Sequence, residues 1–307
     1  MEKFGALTHI GSTPLFTLNL SDNISNNHII YVKAEYLNPG GSIKDRVAFH
    51  IIQEAKKRNE LRKGDLIVEA TSGNTGISVA MVGCILGYEV AIIMPENMSI
   101  ERRKLIRALN AKLILTPKNK NVAGAVEKLE EMRNNSSNIF IPDQFKNKNN
   151  IDAHYRTTGP EIWKDMSGKV DVFVSGIGSG GTIMGVGTYL KEKNPEIKIV
   201  AVEPKDNSAL LGHEPGLHRI EGIGDGFIPE ILDQKIIDEI FEVDDEDALT
   251  TARRLSMEKG LLVGISSGAN VMGAMLAAKK FGKEKRIVTI LPDRIERYFS
   301  TDLLSFL

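Results

Sequence analysis

A single cysteine, Cys84, serves the whole chain. One thiol cannot close an intrachain disulfide or build a cysteine metal site. It stands in the apolar run Val79-Ala80-Met81-Val82-Gly83-Cys84-Ile85-Leu86, which predicts a buried structural thiol rather than a nucleophile. Net charge is scarce too: 39 Lys and Arg against 40 Asp and Glu leave −1. That gives no general attraction to nucleic acid or to an acidic membrane. No apolar stretch is long enough to span a bilayer. The opening Met1-Glu2-Lys3-Phe4-Gly5 lacks the pattern of a signal peptide, so a cytoplasmic protein is expected. The six histidines stand at no metal-ligand spacing. The basic run Glu101-Arg102-Arg103-Lys104 lies on an amphipathic helical pattern and reads as a solvated face.

What remains is an ordinary globular composition over 307 residues, with 42% hydrophobic residues, enough for about two domains. Short β-branched runs alternate with helical patterns. Strands are expected at Ile29 to Ala34, Leu66 to Glu69, Val90 to Met94, Leu113 to Thr116, Val170 to Ser175, Ile197 to Glu203, Leu261 to Val263 and Arg286 to Leu291. Helices are expected at Ile43 to Lys57, Thr75 to Leu86, Ile100 to Leu109, Val122 to Met132, Thr182 to Lys193, Asp247 to Glu258 and Gly268 to Phe281. Nearly continuous apolar strands are those of parallel sheets covered on both faces, and the alternation predicts an α/β fold with open, mainly parallel sheets. Lys118 to Val122 and Lys146 to Asn150 read as loops. The second suggests a junction between a domain of residues 1–146 and one of residues 147–307, with a ligand cleft between them.

Three strand-to-helix junctions and one loop carry the chemistry. Asn38-Pro39-Gly40-Gly41-Ser42-Ile43-Lys44-Asp45-Arg46 puts Lys44 at a helix start, where partial positive charge favours its neutral amine. A neutral lysine can form a Schiff base with a carbonyl, the basis of pyridoxal phosphate (PLP) chemistry; taken alone, the stretch reads better as a surface lysine on the first turn of an ordinary helix, and the rest of the chain reverses that. Glu69-Ala70-Thr71-Ser72-Gly73-Asn74-Thr75-Gly76 offers hydroxyls, an amide and backbone N–H groups at a helix start, a cradle for a carboxylate, or else a capped turn. Ser175-Gly176-Ile177-Gly178-Ser179-Gly180-Gly181-Thr182 suits a phosphate. Gly176, Gly178 and Gly181 also satisfy G-x-G-x-x-G, with Glu203 ending the next strand, the formal fingerprint of a nicotinamide-dependent dehydrogenase. That alternative leaves the Lys44 and Thr71 loops without a role, and the fingerprint normally opens the first unit of its domain. Gly264-Ile265-Ser266-Ser267-Gly268-Ala269 reads as a further helix start. His154 beside Tyr155 reads as structural.

Together these segments resemble the cysteine synthase (O-acetylserine sulfhydrylase) family and its relative cystathionine β-synthase, PLP enzymes of the tryptophan synthase β-subunit fold. The resemblance runs from Gly11-Ser12-Thr13-Pro14-Leu15 to Leu291-Pro292-Asp293. It implies that Lys44 holds PLP and that Asn74 bonds the ring hydroxyl. It implies that Thr71, Ser72, Gly73, Thr75 and Gln144 hold the substrate carboxylate. It implies that Gly178, Ser179, Gly180, Gly181 and Thr182 bind the phosphate and that Ser266 faces the pyridine nitrogen. A serine there makes the ring a weaker electron sink than a carboxylate would. That suits loss of a β-substituent as Lys44 removes the α-proton, giving an α-aminoacrylate to which a nucleophile adds. With O-acetyl-L-serine and sulfide the products are cysteine and acetate. The resemblance also implies a homodimer and a cleft that can receive the C-terminal tail of serine acetyltransferase.

The sequence departs from the family pattern in three places. Asn147-Lys148-Asn149-Asn150-Ile151 stands where Asn-Pro-Ala-Asn-Pro is usual, and Asp293-Arg294-Ile295-Glu296-Arg297-Tyr298 where Asp-Ser/Thr-Gly-Glu-Arg-Tyr is usual. In Gly222-Ile223-Gly224-Asp225-Gly226-Phe227-Ile228-Pro229, Asp225 stands where many cysteine synthases have alanine. A carboxylate at the mouth of the site disfavours hydrosulfide and can act as a general base on water or a second thiol. The alternative is therefore replacement on L-cysteine, releasing hydrogen sulfide and forming serine, lanthionine or cystathionine.

Overall fold

The apolar runs assemble into two sheets. The computed structural model describes residues 5–20, 28–136 and 138–305. Residues 1–4, on which the expectation about a signal peptide rests, lie outside the described residues. In the larger sheet β1 (Leu15–Leu18) pairs antiparallel with β2 (Ile30–Lys33). Parallel to β2 lie β10 (Ile287–Ile290), β7 (Val172–Gly176), β8 (Lys198–Pro204) and β9 (Glu239–Val243), in that order. The smaller sheet runs β5 (Lys112–Thr116), β4 (Glu89–Pro95), β3 (Leu66–Ala70), β6 (Ile139–Phe140), all parallel. Ala91 to Met94 and Ile199 to Val202 are wholly buried, as strands covered on both faces must be.

Helices α1 (Lys44–Lys57), α2 (Asn74–Leu86), α3 (Ile100–Ala108) and α4 (Asn121–Asn135) serve the smaller sheet. Then come α5 (Asn149–Ala153), a π-helical turn at His154–Thr158, α6 (Gly159–Asp165), α7 (Gly181–Lys193), α8 (Asp245–Lys259) and α9 (Ile265–Phe281). Gly87 and Gly260 close α2 and α8 with φ of 76° and 67°, a conformation that glycine adopts without a Cβ penalty.

Several expectations are corrected. Cys84 is exposed. It lies beside Ile85, also exposed, on the outer side of the last turn of α2, and no polar residue in that run marks the outward face. Leu261 to Val263 is no strand: Val263 makes one bridge to Arg294, and the next helix begins at Ile265 rather than Gly268. The Lys146 to Asn150 segment turns into α5 at Asn149, and Asn121 already opens α4. Arg102 is not on a solvated face: it is 2% exposed, lies over the Tyr298 ring and pairs with Glu221. The short β1, β6 and β9 went unread. β9 is an edge strand that carries Glu239 and Glu242.

A buried polar cluster fixes the segment ahead of Lys44. Arg46 is held by Glu35 at 2.7 Å and Glu161 at 2.7 Å. Thr13 and Asn38 also donate to Glu35, at 2.6 and 2.8 Å. Burial alone would raise the Glu35 carboxyl, but the Arg46 charge and these donors hold it below its ordinary value.

Candidate active site

The carboxyl ends of the parallel strands in both sheets open on one cleft of about 830 Å³. Ligands of open α/β sheets bind at such strand ends. Lys44 is the first residue of α1. The preceding turn is closed by Gly41 N–H donating to the Asn38 carbonyl at 2.8 Å, with Gly41 at φ 82°. Gly40 N–H donates to Asp45 at 2.6 Å. From this support the Lys44 Nζ reaches Ser179 Oγ at 3.3 Å. Burial pushes the Lys44 ammonium below its ordinary value, with the Asp225 charge opposing. Burial thus supplies the push that the sequence argument sought in the helix end.

The β3–α2 turn presents Thr71, Ser72, Gly73, Asn74 and Thr75 to the same cleft. Gly73, not a polar side chain, stands at the N-cap of α2, and no side chain caps it; the capped-turn alternative therefore falls, and the first-turn N–H groups face a ligand space. Thr75 Oγ1 donates to Gln144 Oε1 at 2.7 Å, bringing Gln144 beside the turn. Asn74 Nδ2 donates to Asp293 at 2.7 Å, while its buried Oδ1 has no partner. Behind this turn, Glu69 accepts from the Asp143 N–H at 3.0 Å. Burial, with the Asp143 charge adding, raises the Glu69 carboxyl to about 8.

Across the cleft, Gly178, Ser179, Gly180 and Thr182 line the wall at the start of α7. Gly180 has φ 81°, and no side chain caps the helix. A Cβ at Gly178 would stand 2.5 Å from the Gly222 carbonyl. Gly181 does not line the cleft: a Cβ there would overlap the Asn150 amide. Thr182 Oγ1 meets His154 Nε2 at 3.3 Å. Burial, with nearby Arg46 and Lys44 adding, holds His154 well below its ordinary value. Ser266 is 4% exposed, on the first turn of α9. Asp225 lies between Gly224 and Gly226, which have φ of 69° and 81°. Burial raises its carboxyl, while Lys44 and His218 pull it down. Glu203 accepts from Ser208 at 2.7 Å and from the Leu210 N–H at 3.1 Å, so it is already satisfied within its own loop and is not presented to a ribose.

Asn150, Arg102, Glu69 and Asp293 belong to the cleft or its support and were not singled out as site residues from sequence. Asn150 had a signal, since the family run quoted above also has asparagine at that place. Arg102 and Asp293 meet the site only through tertiary packing. Among the described residues no cluster of histidine, cysteine and carboxylates could hold a metal, and no helix is long and apolar enough to cross a membrane.

A half-buried lysine of lowered basicity, an uncapped glycine cradle opposite it and an unpartnered buried amide oxygen fit PLP, which needs an amine, a phosphate site and a partner for its ring hydroxyl. The fold and site define a two-sheet PLP enzyme. The family model "Pyridoxal-phosphate dependent enzyme" matches residues 6–293. Cysteine synthase B of Campylobacter jejuni is 48% identical over 96% of this chain and 97% of its own. A cysteine synthase structure from Entamoeba histolytica superposes with a TM-score of 0.92 at 42% identity, covering 98% of this chain and 90% of the other. A hydrogen sulfide-producing enzyme of Fusobacterium nucleatum superposes at 0.92 with 44% identity, covering 99% and 92%. The chain belongs to the pyridoxal-phosphate dependent enzyme family, and it is a β-replacement enzyme of the cysteine synthase type acting on small amino acids.

Proposed function

We propose that the reaction is O-acetyl-L-serine plus sulfide giving L-cysteine plus acetate. The observation that carries it is the convergence of Lys44, the Thr71–Thr75 turn and the Gly178–Thr182 loop on one cleft. In this reading Lys44 holds PLP, Asn74 meets the ring hydroxyl, and Gly178, Ser179, Gly180 and Thr182 surround the phosphate, with Gly181 backing the loop against Asn150. When bound, the cofactor draws electrons from the substrate's Cα through a conjugated ring. Thr71, Ser72, Gly73, Thr75 and Gln144 bind the carboxylate and orient the Cα–H bond toward Lys44. Lys44, its proton affinity lowered by burial, takes that proton at Nζ as acetate leaves Cβ. Ser266, uncharged and at the positive end of α9, would offer the ring nitrogen no negative partner to hold a proton there. The division at residues 146 and 147 belongs to this reading, with β1 and β2 crossing to the C-terminal sheet, as do a cytoplasmic homodimer and a cleft open to the tail of serine acetyltransferase.

A second reading has its own observation. Asp225 lines the same cleft as Lys44, and the charge of each shifts the other's proton affinity. A carboxylate there can take a proton from water or a thiol, the step needed for replacement on L-cysteine with release of hydrogen sulfide. The test is to supply O-acetyl-L-serine with sulfide, and L-cysteine alone, in parallel. Faster cysteine formation supports the first reading. Faster sulfide release, lost in Asp225→Ala, replaces it with the second.

A further inference from the structure

We propose that Asn150 is a positioning residue that ties the carboxylate loop to the anion loop, so that filling one tightens the other. Asn150 is wholly buried at the second residue of α5. Its Nδ2 gives one hydrogen to the Gln144 carbonyl at 2.8 Å and the other to Ser179 Oγ at 2.9 Å. Gln144 in turn accepts from Thr75 at 2.7 Å, and Ser179 accepts from Lys44 at 3.3 Å. Thr75 thus holds the Gln144 side chain, and from the Gln144 backbone carbonyl hydrogen bonds run through Asn150 to Ser179, crossing from the smaller sheet's loop to the larger's, with Lys44 bonded to Ser179 from α1.

The donor count gives Asn150 a directional role. A serine hydroxyl has two acceptor positions and one hydrogen. Asn150 and Lys44 fill both acceptor positions, which leaves the Ser179 hydrogen to donate, the polarity an anion in the α7 cradle requires. When Lys44 turns to other work, Asn150 alone keeps that polarity. Its Oδ1 is buried without a partner, so the amide's orientation rests on the two bonds it donates, and a rotation breaks both. Gly181 follows from the same contact: a side chain there would displace the Asn150 amide.

The proposal rests on the assignment of the two loops made above, and its test reads that assignment separately. The phosphorus-31 resonance of the bound cofactor reports the anion loop. L-Alanine, which has no leaving group on Cβ, fills the carboxylate site without turnover, and the visible spectrum reports its binding. In the wild-type holoenzyme, saturating L-alanine is expected to move the phosphorus resonance. In Asn150→Ala the movement falls below half, and the dissociation constant of L-alanine rises about tenfold, as for loss of the one of its two bonds that steadies the carboxylate loop. A residue that only stabilised the fold would lower the unfolding temperature and leave the movement intact. Full wild-type movement in Asn150→Ala overturns the proposal. So does an unmoved wild-type resonance when the visible spectrum shows alanine bound. If alanine leaves the wild-type spectrum unchanged, the loop assignment fails and the coupling with it. Should Asn150→Ala not retain the cofactor, Asn150→Leu keeps the bulk of the side chain, removes both donated bonds and is read in the same way.

Discussion

Replacing Glu69 by glutamine should stabilise the protein, and by an amount that depends on pH. Glu69 is 2% exposed and accepts one hydrogen bond, from the Asp143 N–H at 3.0 Å. Glutamine keeps an acceptor for that bond and removes the ionisation. Burial, with the Asp143 charge adding, takes the Glu69 carboxyl from 4.5 in the unfolded chain to about 8 when folded. Below pH 4.5 the group is protonated in both states and contributes no slope. Between 4.5 and 8 the folded state keeps a proton that the unfolded state has lost, so stability declines as pH rises. Above 8 both states are ionised and the decline stops. At 1.36 kcal/mol per unit the accumulated cost is on the order of 3 to 5 kcal/mol, the upper figure applying if the 143–146 loop does not relax. Urea unfolding of wild type and Glu69→Gln at intervals from pH 4 to pH 9 measures it. The difference in stability should grow through that window and level off. A difference that is the same at every pH refutes the reasoning. Because Asp143 precedes Gln144, the wild-type KM for the amino acid should also climb above pH 8 and that of Glu69→Gln should not.

The acidic limb of the pH–rate profile should reflect Lys44, with activity rising as its ammonium loses a proton. Asp225 raises that proton affinity, so Asp225→Ala should move the limb to lower pH, and an unmoved limb would separate the two residues. Gly178→Ala should release the cofactor on dialysis at least about tenfold more readily, because a methyl 2.5 Å from the Gly222 carbonyl forces the cradle open. Retention equal to wild type would remove Gly178 from the cradle.

Much of the site could be read in the chain because its parts are local. A glycine-rich turn, a lysine and a helix start occupy nine consecutive residues at Asn38 to Arg46, and the Thr71 and Gly178 loops are likewise single strand-to-helix junctions. Parallel strands declared themselves as unbroken apolar runs such as Val90 to Met94. What went unread depends on contacts distant in sequence. Arg102 looks solvated beside Arg103 and Lys104, yet Tyr298 and Glu221 enclose it. Cys84 fails in the opposite sense, an apolar run hiding an outward face. Asn150 sits in a polar stretch that reads as a loop, and its partners Gln144 and Ser179 lie in loops that follow strands of different sheets.

In the reaction proposed here Lys44 carries the cofactor and moves the α-proton. The most direct measurement is the visible spectrum of the protein loaded with PLP, compared with that of Lys44→Ala, together with exchange of the α-hydrogen of L-alanine in heavy water. The wild type should show a visible band that is lost or shifted in the variant, and exchange should fall by at least about a hundredfold with the general base gone. An unchanged band, or exchange at the wild-type rate, would contradict that role for Lys44.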